Sequence, residues 1–223
     1  MTLVDAVPGL TRDQLAGRVA ADLQDGWCVN LGIGLPLLIP RHIPPDREVL
    51  LHSEHGLLGV GPMAPVGEED PDLIDAGKNY VTLTEGAAAF DSSVSFAIVR
   101  GGRLDVTVLG GLQVSATGDL ANWLVPGRDP GVGGAMDLVA GARRVWVAMD
   151  HVDRQGNPKI VERCGYPLTG AGVVARVYTN LAVFDVTSSG LVLSECAPGV
   201  SVDHVEGLTG APFTVAPALE ARP

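Results

Sequence analysis

The sequence predicts an α/β fold, with an open, mostly parallel sheet flanked by helices and an antiparallel flank in the C-terminal third. Helical and strand patterns alternate with short links through the first 150 residues, which is typical of parallel strands joined by crossovers. Short strand patterns separated by turn residues follow, as in antiparallel sheets. The chain has 223 residues, 46% of them apolar, and no evident linker, so residues 1–223 are predicted to form one domain around a large core.

A helix is predicted to open this fold. Thr11 and Gln14 have the spacing of a capping box, which satisfies backbone N–H groups at a helix start. Apolar residues then recur at intervals of four and form one stripe, at Leu15, Val19 and Leu23. Gly26 is well placed to end the helix.

The next segments predict a strand, a helix and a strand. The apolar run 27–33 indicates a buried strand, and Gly34 then turns the chain. Pro36 suits the first turn of a second helix that ends near His42. Residues 47–52 are predicted to form the next strand, parallel to the first.

The same alternation continues to residue 150. Ser92 or Ser93 is expected to cap a helix through Arg100, and residues 135–140 are expected to form another helix between glycines. Strands are predicted at 80–83, 104–109 and 145–149.

The remainder of the chain looks more antiparallel. Short strands are predicted at 160–161, 177–179, 182–186 and 191–193, with a hairpin turn over 187–190. Ser201 is positioned to cap a last short helix.

Composition excludes several classes of protein. A net charge of −11 makes general nucleic-acid binding unfavourable. The longest uncharged run, 26–40, is too short to span a membrane and holds two prolines, and residues 1–10 lack the pattern of a signal peptide. The three cysteines are far apart, which argues against disulfides and for a reducing compartment, so a cytoplasmic protein is expected.

The segment 51–56 is the first candidate for chemistry, because it follows a strand where open parallel sheets usually place ligands. His52 and His55 with Glu54 offer metal ligands, but their spacing is not that of zinc peptidases. Ser53 lacks the surroundings of a nucleophile elbow. Two readings remain open from spacing alone: an ordinary polar turn, and a carboxylate nucleophile at Glu54.

Two glycine-rich segments are weaker candidates. Residues 30–36 contain Gly-x-Gly at a strand-to-helix turn but lack the third glycine of the dinucleotide fingerprint. Residues 127–137 place glycines near a helix start, where free N–H groups favour anions, although loop flexibility explains them equally well.

Taken together, segments along nearly the whole chain share the order and spacing of a known family. These segments are 30–36, 51–62, 90–102, 105–114, 118–123, 133–138, 167–170 and 197–202. They resemble the B (beta) subunit of family I coenzyme A transferases, in the 3-oxoacid CoA-transferase group, whose fold is the one predicted above.

The resemblance implies a mechanism in which Glu54 attacks an acyl-CoA. An acyl-glutamyl anhydride forms first and a glutamyl-CoA thioester second, with ping-pong kinetics. Coenzyme A is then a substrate and part of a covalent intermediate, and no metal or permanently bound cofactor is implied.

The resemblance also assigns roles to neighbouring residues. Asn30, Gly134 and Ala135 are expected near the reacting centre, where they stabilise an oxyanion or contact CoA, and Lys78 is expected to contact a CoA phosphate. The supporting positions are Ser53, His55, Gly56 and Gly133. His55 stands where the family usually has asparagine.

The resemblance implies substrates and a partner as well. The expected reaction moves CoA from succinyl-CoA to acetoacetate or 3-oxoadipate. A separate A subunit is expected to complete the site, in an A2B2 heterotetramer. The alternatives are a CoA-ester hydrolase or lyase on the same fold, and a non-catalytic acyl-CoA-binding subunit.

Overall fold

A ten-stranded mixed sheet forms the centre of the protein. The computed structural model describes residues 9–220 apart from 126, 128 and 130, so most of the segment assessed for a signal peptide, residues 1–8, lies outside the described residues. The strands are β1 Trp27–Leu31, β2 Val49–Ser53, β3 Leu57–Met63, β4 Val81–Ala89, β5 Val106–Leu109, β6 Gln113–Ser115, β7 Leu120–Ala121, β8 Val145–Met149, β9 Ile160–Val161, β10 Val174–Thr179, β11 Ala182–Thr187, β12 Gly190–Cys196 and β13 Phe213–Val215. The helices are α1 Arg12–Asp22, α2 Ser92–Arg100, α3 Ala135–Gly141, α4 Val202–Leu208 and α5 Pro217–Glu220, with a 3-10 helix at Leu35–His42.

The sheet is parallel at its centre and antiparallel towards both ends. Its order is β13-β12-β11-β10-β8-β5-β1-β2-β3-β4, and every neighbouring pair from β10 to β2 is parallel. The hairpin predicted over 187–190 joins the antiparallel strands β11 and β12. The predicted open, mostly parallel sheet with an antiparallel C-terminal flank is therefore confirmed.

The second antiparallel flank, β3 and β4, was not predicted beyond residues 80–83. Its sequence contains glycines that weaken a strand pattern. The structure explains them by close approach of the two strands, since a Cβ on Gly61 would lie 2.6 Å from the Thr82 hydroxyl oxygen. A separate three-stranded sheet, in the order β7-β6-β9, was also not predicted.

Strand β8 shows how the sheet is covered on both faces. Val145, Val147 and Met149 pack in one apolar cluster, with residues of α3 and α4. The alternate residues Trp146 and Ala148 pack in a second cluster, with α1 and the 3-10 helix. Because successive side chains of a strand point to opposite faces, this alternation gives a helix–sheet–helix arrangement.

Helix starts tested the capping predictions. The Thr11–Gln14 capping box is present, with Thr11 accepting from the Gln14 N–H at 3.2 Å and Gln14 returning the contact at 2.8 Å. Ser201 caps α4 as predicted. The predicted cap of α2 was wrong, because the Asp91 carboxylate lies one residue earlier and accepts from the N–H groups of Ser93 and Val94.

A charged cluster fixes α1 to the sheet. The Asp22 carboxylate contacts Arg18 at 2.7 Å and Arg176 of β10 at 2.8 Å, and it accepts a hydrogen bond from the Tyr178 hydroxyl at 2.7 Å. Burial opposes ionisation of Asp22, but the bonds from Arg18 and Tyr178 outweigh it and hold the pKa of the carboxyl below its ordinary value.

In the described part of the chain, no helix combines the length and the apolar character that crossing a bilayer requires.

Replacing Asp22 by asparagine is expected to lower the thermal unfolding midpoint at pH 7 by about 4 °C, or about 1–2 kcal/mol. A carboxyl with a lowered folded-state pKa stabilises the protein above its unfolded pKa, and this contribution is lost as the pH falls through the folded-state value. The difference between Asp22→Asn and the parent should therefore shrink below about pH 4. Asp46→Asn, at an exposed position, is the control. Equal midpoints for the two variants at pH 7 would contradict this account.

Candidate active site

Glu54 lies in a three-residue turn between β2 and β3. The Gly56 N–H donates to the Ser53 carbonyl at 3.0 Å and closes the turn, and Gly56 has a φ of 132°. A Cβ at Gly56 would collide with the carbonyl oxygen of Phe90. Only glycine fits here, so the turn places the Glu54 side chain at the carboxyl end of β2.

Asn30 contacts Glu54 directly. In the parallel pair of β1 and β2, Asn30 is in register with His52, two residues before Glu54. The fully buried Asn30 amide donates from Nδ2 to Oε2 of Glu54 at 3.1 Å. On its other side, the Thr107 hydroxyl of β5 donates to Asn30 Oδ1 at 3.1 Å. The neighbouring strands thus orient the amide towards the carboxylate.

Glu54 faces a cleft of about 360 Å³ at the carboxyl ends of β1 and β5. Its lining includes Gly32, Ile33, Gly110, Gly111 and the segment 131–135. Glycines dominate this wall, so a ligand can approach the backbone closely.

Gly134 packs against the Glu54 side chain. A Cβ on Gly134 would lie 2.9 Å from the Phe96 ring and 3.4 Å from Cγ of Glu54. Gly133 and Ala135 line the same cleft. The structure therefore brings together Glu54, Asn30 and the Gly133–Ala135 segment, as the sequence predicted.

The cleft also has backbone donors. Among residues that the structure describes, the N–H groups of Ile33, Gly110 and Gly111 have no protein acceptor. Asn122 holds the loop by donating from Nδ2 to the Gly110 carbonyl at 3.2 Å. Unpaired N–H groups lining a cleft can stabilise an oxyanion.

The two histidines of the motif do not share a ligand position. His52 is buried, and its Nε2 lies 2.9 Å from the Ser95 hydroxyl oxygen. Burial lowers the pKa of His52, and the nearby Glu54 carboxylate offsets only part of this effect. His55 is exposed, with Nδ1 2.9 Å from the Ser53 hydroxyl oxygen. In the described ranges, no three His, Cys, Asp or Glu side chains lie close enough to hold a metal together.

Lys78 lies away from the cleft that holds Glu54. It belongs to a turn in which its N–H donates to the Asp75 carbonyl, and it has a φ of 64°, a strained value for a non-glycine residue. Asp75 and Ala76 of the same turn line a second, larger cavity of about 750 Å³, which also reaches Ser53.

Several residues of the site were not singled out in the sequence. Thr107 and Ser95 orient Asn30 and His52, and Phe96 fixes the approach of Gly134. Thr107 had one usable signal, since a polar residue inside an apolar strand requires a hydrogen-bond partner. Ser95 and Phe96 are ordinary residues on a helix, and their partners are distant in sequence.

Comparisons with known proteins match this architecture. The family model described as "Coenzyme A transferase" matches residues 12–207. The chain is 53% identical over 204 residues to the B (beta) subunit of 3-oxoadipate CoA-transferase from Acinetobacter baylyi, covering 91% of this chain and 94% of the relative. It is 45% identical over 205 residues to the B (beta) subunit of succinyl-CoA:3-ketoacid coenzyme A transferase from Helicobacter pylori, covering 92% and 99%.

Solved structures share the fold at low sequence identity. An acyl-CoA transferase (YdiF) from Escherichia coli O157:H7 superposes with a TM-score of 0.75 at 22% identity, over 97% of this chain and 44% of that chain. The decarboxylase AibA/AibB superposes with a TM-score of 0.68 at 22% identity, over 93% and 86%. The extent of the family match and the identity to the two curated relatives show that the chain belongs to the coenzyme A transferase family.

Proposed function

We propose that this chain is the catalytic subunit of a CoA-transferase that moves CoA between succinyl-CoA and a 3-oxoacid. The observation that carries the proposal is the Glu54 carboxylate, oriented by the Asn30 amide into a cleft rich in glycine. The relatives named as 3-oxoadipate and succinyl-CoA:3-ketoacid CoA-transferases support the substrate class. Acetoacetate and 3-oxoadipate are the proposed acceptors.

The proposed reaction begins with two displacements at carbonyl carbons. An oxygen of Glu54 attacks the thioester carbonyl of succinyl-CoA and expels CoA thiolate, which leaves an acyl-glutamyl anhydride. The thiolate then attacks the glutamyl carbonyl, expels succinate and forms a glutamyl-CoA thioester. The acceptor acid enters and the same steps run in reverse, so the kinetics are ping-pong and Glu54 is regenerated.

Each displacement places negative charge on a tetrahedral oxygen, which requires fixed donors nearby. In this proposal Asn30 supplies an amide N–H, and the Gly133–Ala135 segment and the N–H groups at Gly110 and Gly111 complete the donor set. Ser53 and Gly56 hold the turn that carries the nucleophile.

CoA is a long molecule, and its remote part can supply binding energy for the chemical steps. We assign that part to the larger cavity, which reaches Ser53 next to the nucleophile and is lined by the turn of Lys78. The strained φ of Lys78 supports a functional side chain there, because strain of this kind tends to persist at functional sites.

A separate partner completes the proposed enzyme. Both relatives are named as one of two kinds of subunit, which supports an A subunit and, in our proposal, an A2B2 heterotetramer. Within it, residues 1–223 form a single domain, CoA is the substrate rather than a resident cofactor, and the assembly acts in the cytoplasm.

A CoA-ester hydrolase or lyase is the second candidate function. The fold is shared with a decarboxylase, so fold alone does not decide the reaction. Release of free CoA without an acceptor acid would favour this candidate. A non-catalytic acyl-CoA-binding subunit is the third, and full activity without Glu54 would favour it.

The proposal is tested in the protein purified with its A subunit. Succinyl-CoA and an acceptor acid are expected to give parallel lines in double-reciprocal plots. Glu54→Gln should lower kcat at least about 1,000-fold, because a neutral amide is a poor nucleophile. Glu68→Gln, at an exposed position, is the control and should keep full activity. Activity of Glu54→Gln near the parent level would contradict the proposal.

His55→Asn is expected to change the pH–rate profile near neutral pH, since imidazoles generally titrate there and an amide does not. The exposed His55 contacts the Ser53 hydroxyl beside Glu54, so its charge reaches the reacting carboxylate. The measurement is kcat/KM between pH 5.5 and about 8.5 for both proteins. Superimposable profiles would remove any role of His55 in the pH dependence.

Lys78→Ala is expected to raise KM for succinyl-CoA about 5- to 10-fold with little change in kcat, because a remote phosphate contact contributes binding alone. Arg103→Ala, which removes an exposed cation from another part of the chain, is the control. An unchanged KM in Lys78→Ala would exclude Lys78 from CoA binding.

A further inference from the structure

A continuous chain of buried polar side chains leads from helix α2 to Glu54. It begins at the Ser95 hydroxyl, whose oxygen lies 2.9 Å from His52 Nε2. It continues through His52 Nδ1, which lies 3.4 Å from Asn30 Nδ2, and ends where that amide meets Glu54 at 3.1 Å. Ser95, His52 and Asn30 are all buried, so water does not replace these contacts.

The chemistry of these groups fixes the direction of every hydrogen bond. A carboxylate only accepts, so the Asn30 atom facing Glu54 is the nitrogen, and the Thr107 hydroxyl must donate to Asn30 Oδ1. His52 Nδ1 faces this same amide nitrogen, which carries only hydrogens. Nδ1 is therefore the unprotonated acceptor, and Nε2 carries the proton and donates to Ser95.

The surroundings of His52 agree with a neutral ring. A protonated ring would place an N–H of His52 against the N–H₂ group of Asn30, with no acceptor between them. Burial also lowers the pKa of His52, and Glu54 and His55 are the charged or titratable groups that act on it. The imidazole thus has one tautomer, anchored on α2 and directed towards Asn30.

We propose that His52 is a positioning residue for catalysis: anchored by Ser95, its neutral ring orients the Asn30 amide, and through it the carboxylate of Glu54. This inference rests on the proposed function, because it concerns how the nucleophile is held. His52 touches neither substrate nor the reacting atoms. Its loss should therefore affect the chemical step rather than substrate binding.

The test compares variants of the assembled enzyme in succinyl-CoA to 3-oxoacid transfer. His52→Leu removes both ring hydrogen bonds and should lower kcat about 10- to 100-fold while KM stays within about twofold. His52→Gln keeps an acceptor for Asn30 and a donor for Ser95, and should return kcat to within about threefold of the parent. Ser95→Ala frees only the anchor and should lower kcat about 3- to 10-fold.

A matched control separates this effect from the loss of any histidine. His42→Leu removes a histidine of the 3-10 helix that contacts Asp13, and should leave kcat unchanged. If His52→Leu does not assemble with its partner, Ser95→Ala and His52→Gln still decide. Parent-level kcat in Ser95→Ala, or a His52→Gln enzyme as impaired as His52→Leu, would overturn the proposal.

Borohydride reduction during turnover distinguishes the two possible failures. If the parent enzyme is trapped at Glu54 and the His52 and Ser95 variants turn over normally, this inference is wrong and the proposed function stands. If the parent enzyme is not trapped at Glu54, the proposed function is wrong, and a positioning role for His52 is overturned with it.

Discussion

The hydrogen bond between the Asn30 amide and the Glu54 carboxylate is the contact on which the site depends. It joins a fully buried residue on a central parallel strand to a half-buried residue in a hairpin turn. The pairing of β1 with β2 brings Asn30 level with His52, and the turn closed by Gly56 then carries Glu54 back over that position. A change in the register of either strand would separate the two groups.

Burying polar groups in the middle of a sheet is unfavourable unless each one has a partner. Here Thr107 of β5, Asn30 of β1 and His52 of β2 come from three neighbouring strands and satisfy one another, with Ser95 closing the network from α2. The sheet therefore supplies rigidity as well as location. The glycines opposite serve a different need, because Gly134 packs on Glu54 where a larger residue would collide with Phe96.

Local sequence signals predicted local structure well. The capping box at Thr11, the hairpin over 187–190 and the buried strand β8 depend on neighbours in the chain, and the structure has all three. The strands β3 and β4 were largely missed, because their glycines serve contacts with each other rather than a strand pattern. Glu54 was identified through family resemblance, whereas the roles of Thr107 and Ser95 depend on contacts with residues far away in sequence, which no short motif records.

The most direct measurement of the central claim is the identity of the residue that carries the covalent intermediate. The enzyme assembled with its A subunit is incubated with succinyl-CoA, reduced with borohydride, and digested for peptide mass mapping. A thioester on a carboxylate is reduced to an alcohol, so the account predicts that Glu54 is converted to a hydroxymethyl side chain and that this conversion requires acyl-CoA. Reduction of another carboxylate, or recovery of unmodified Glu54 from enzyme that is turning over, would contradict the account.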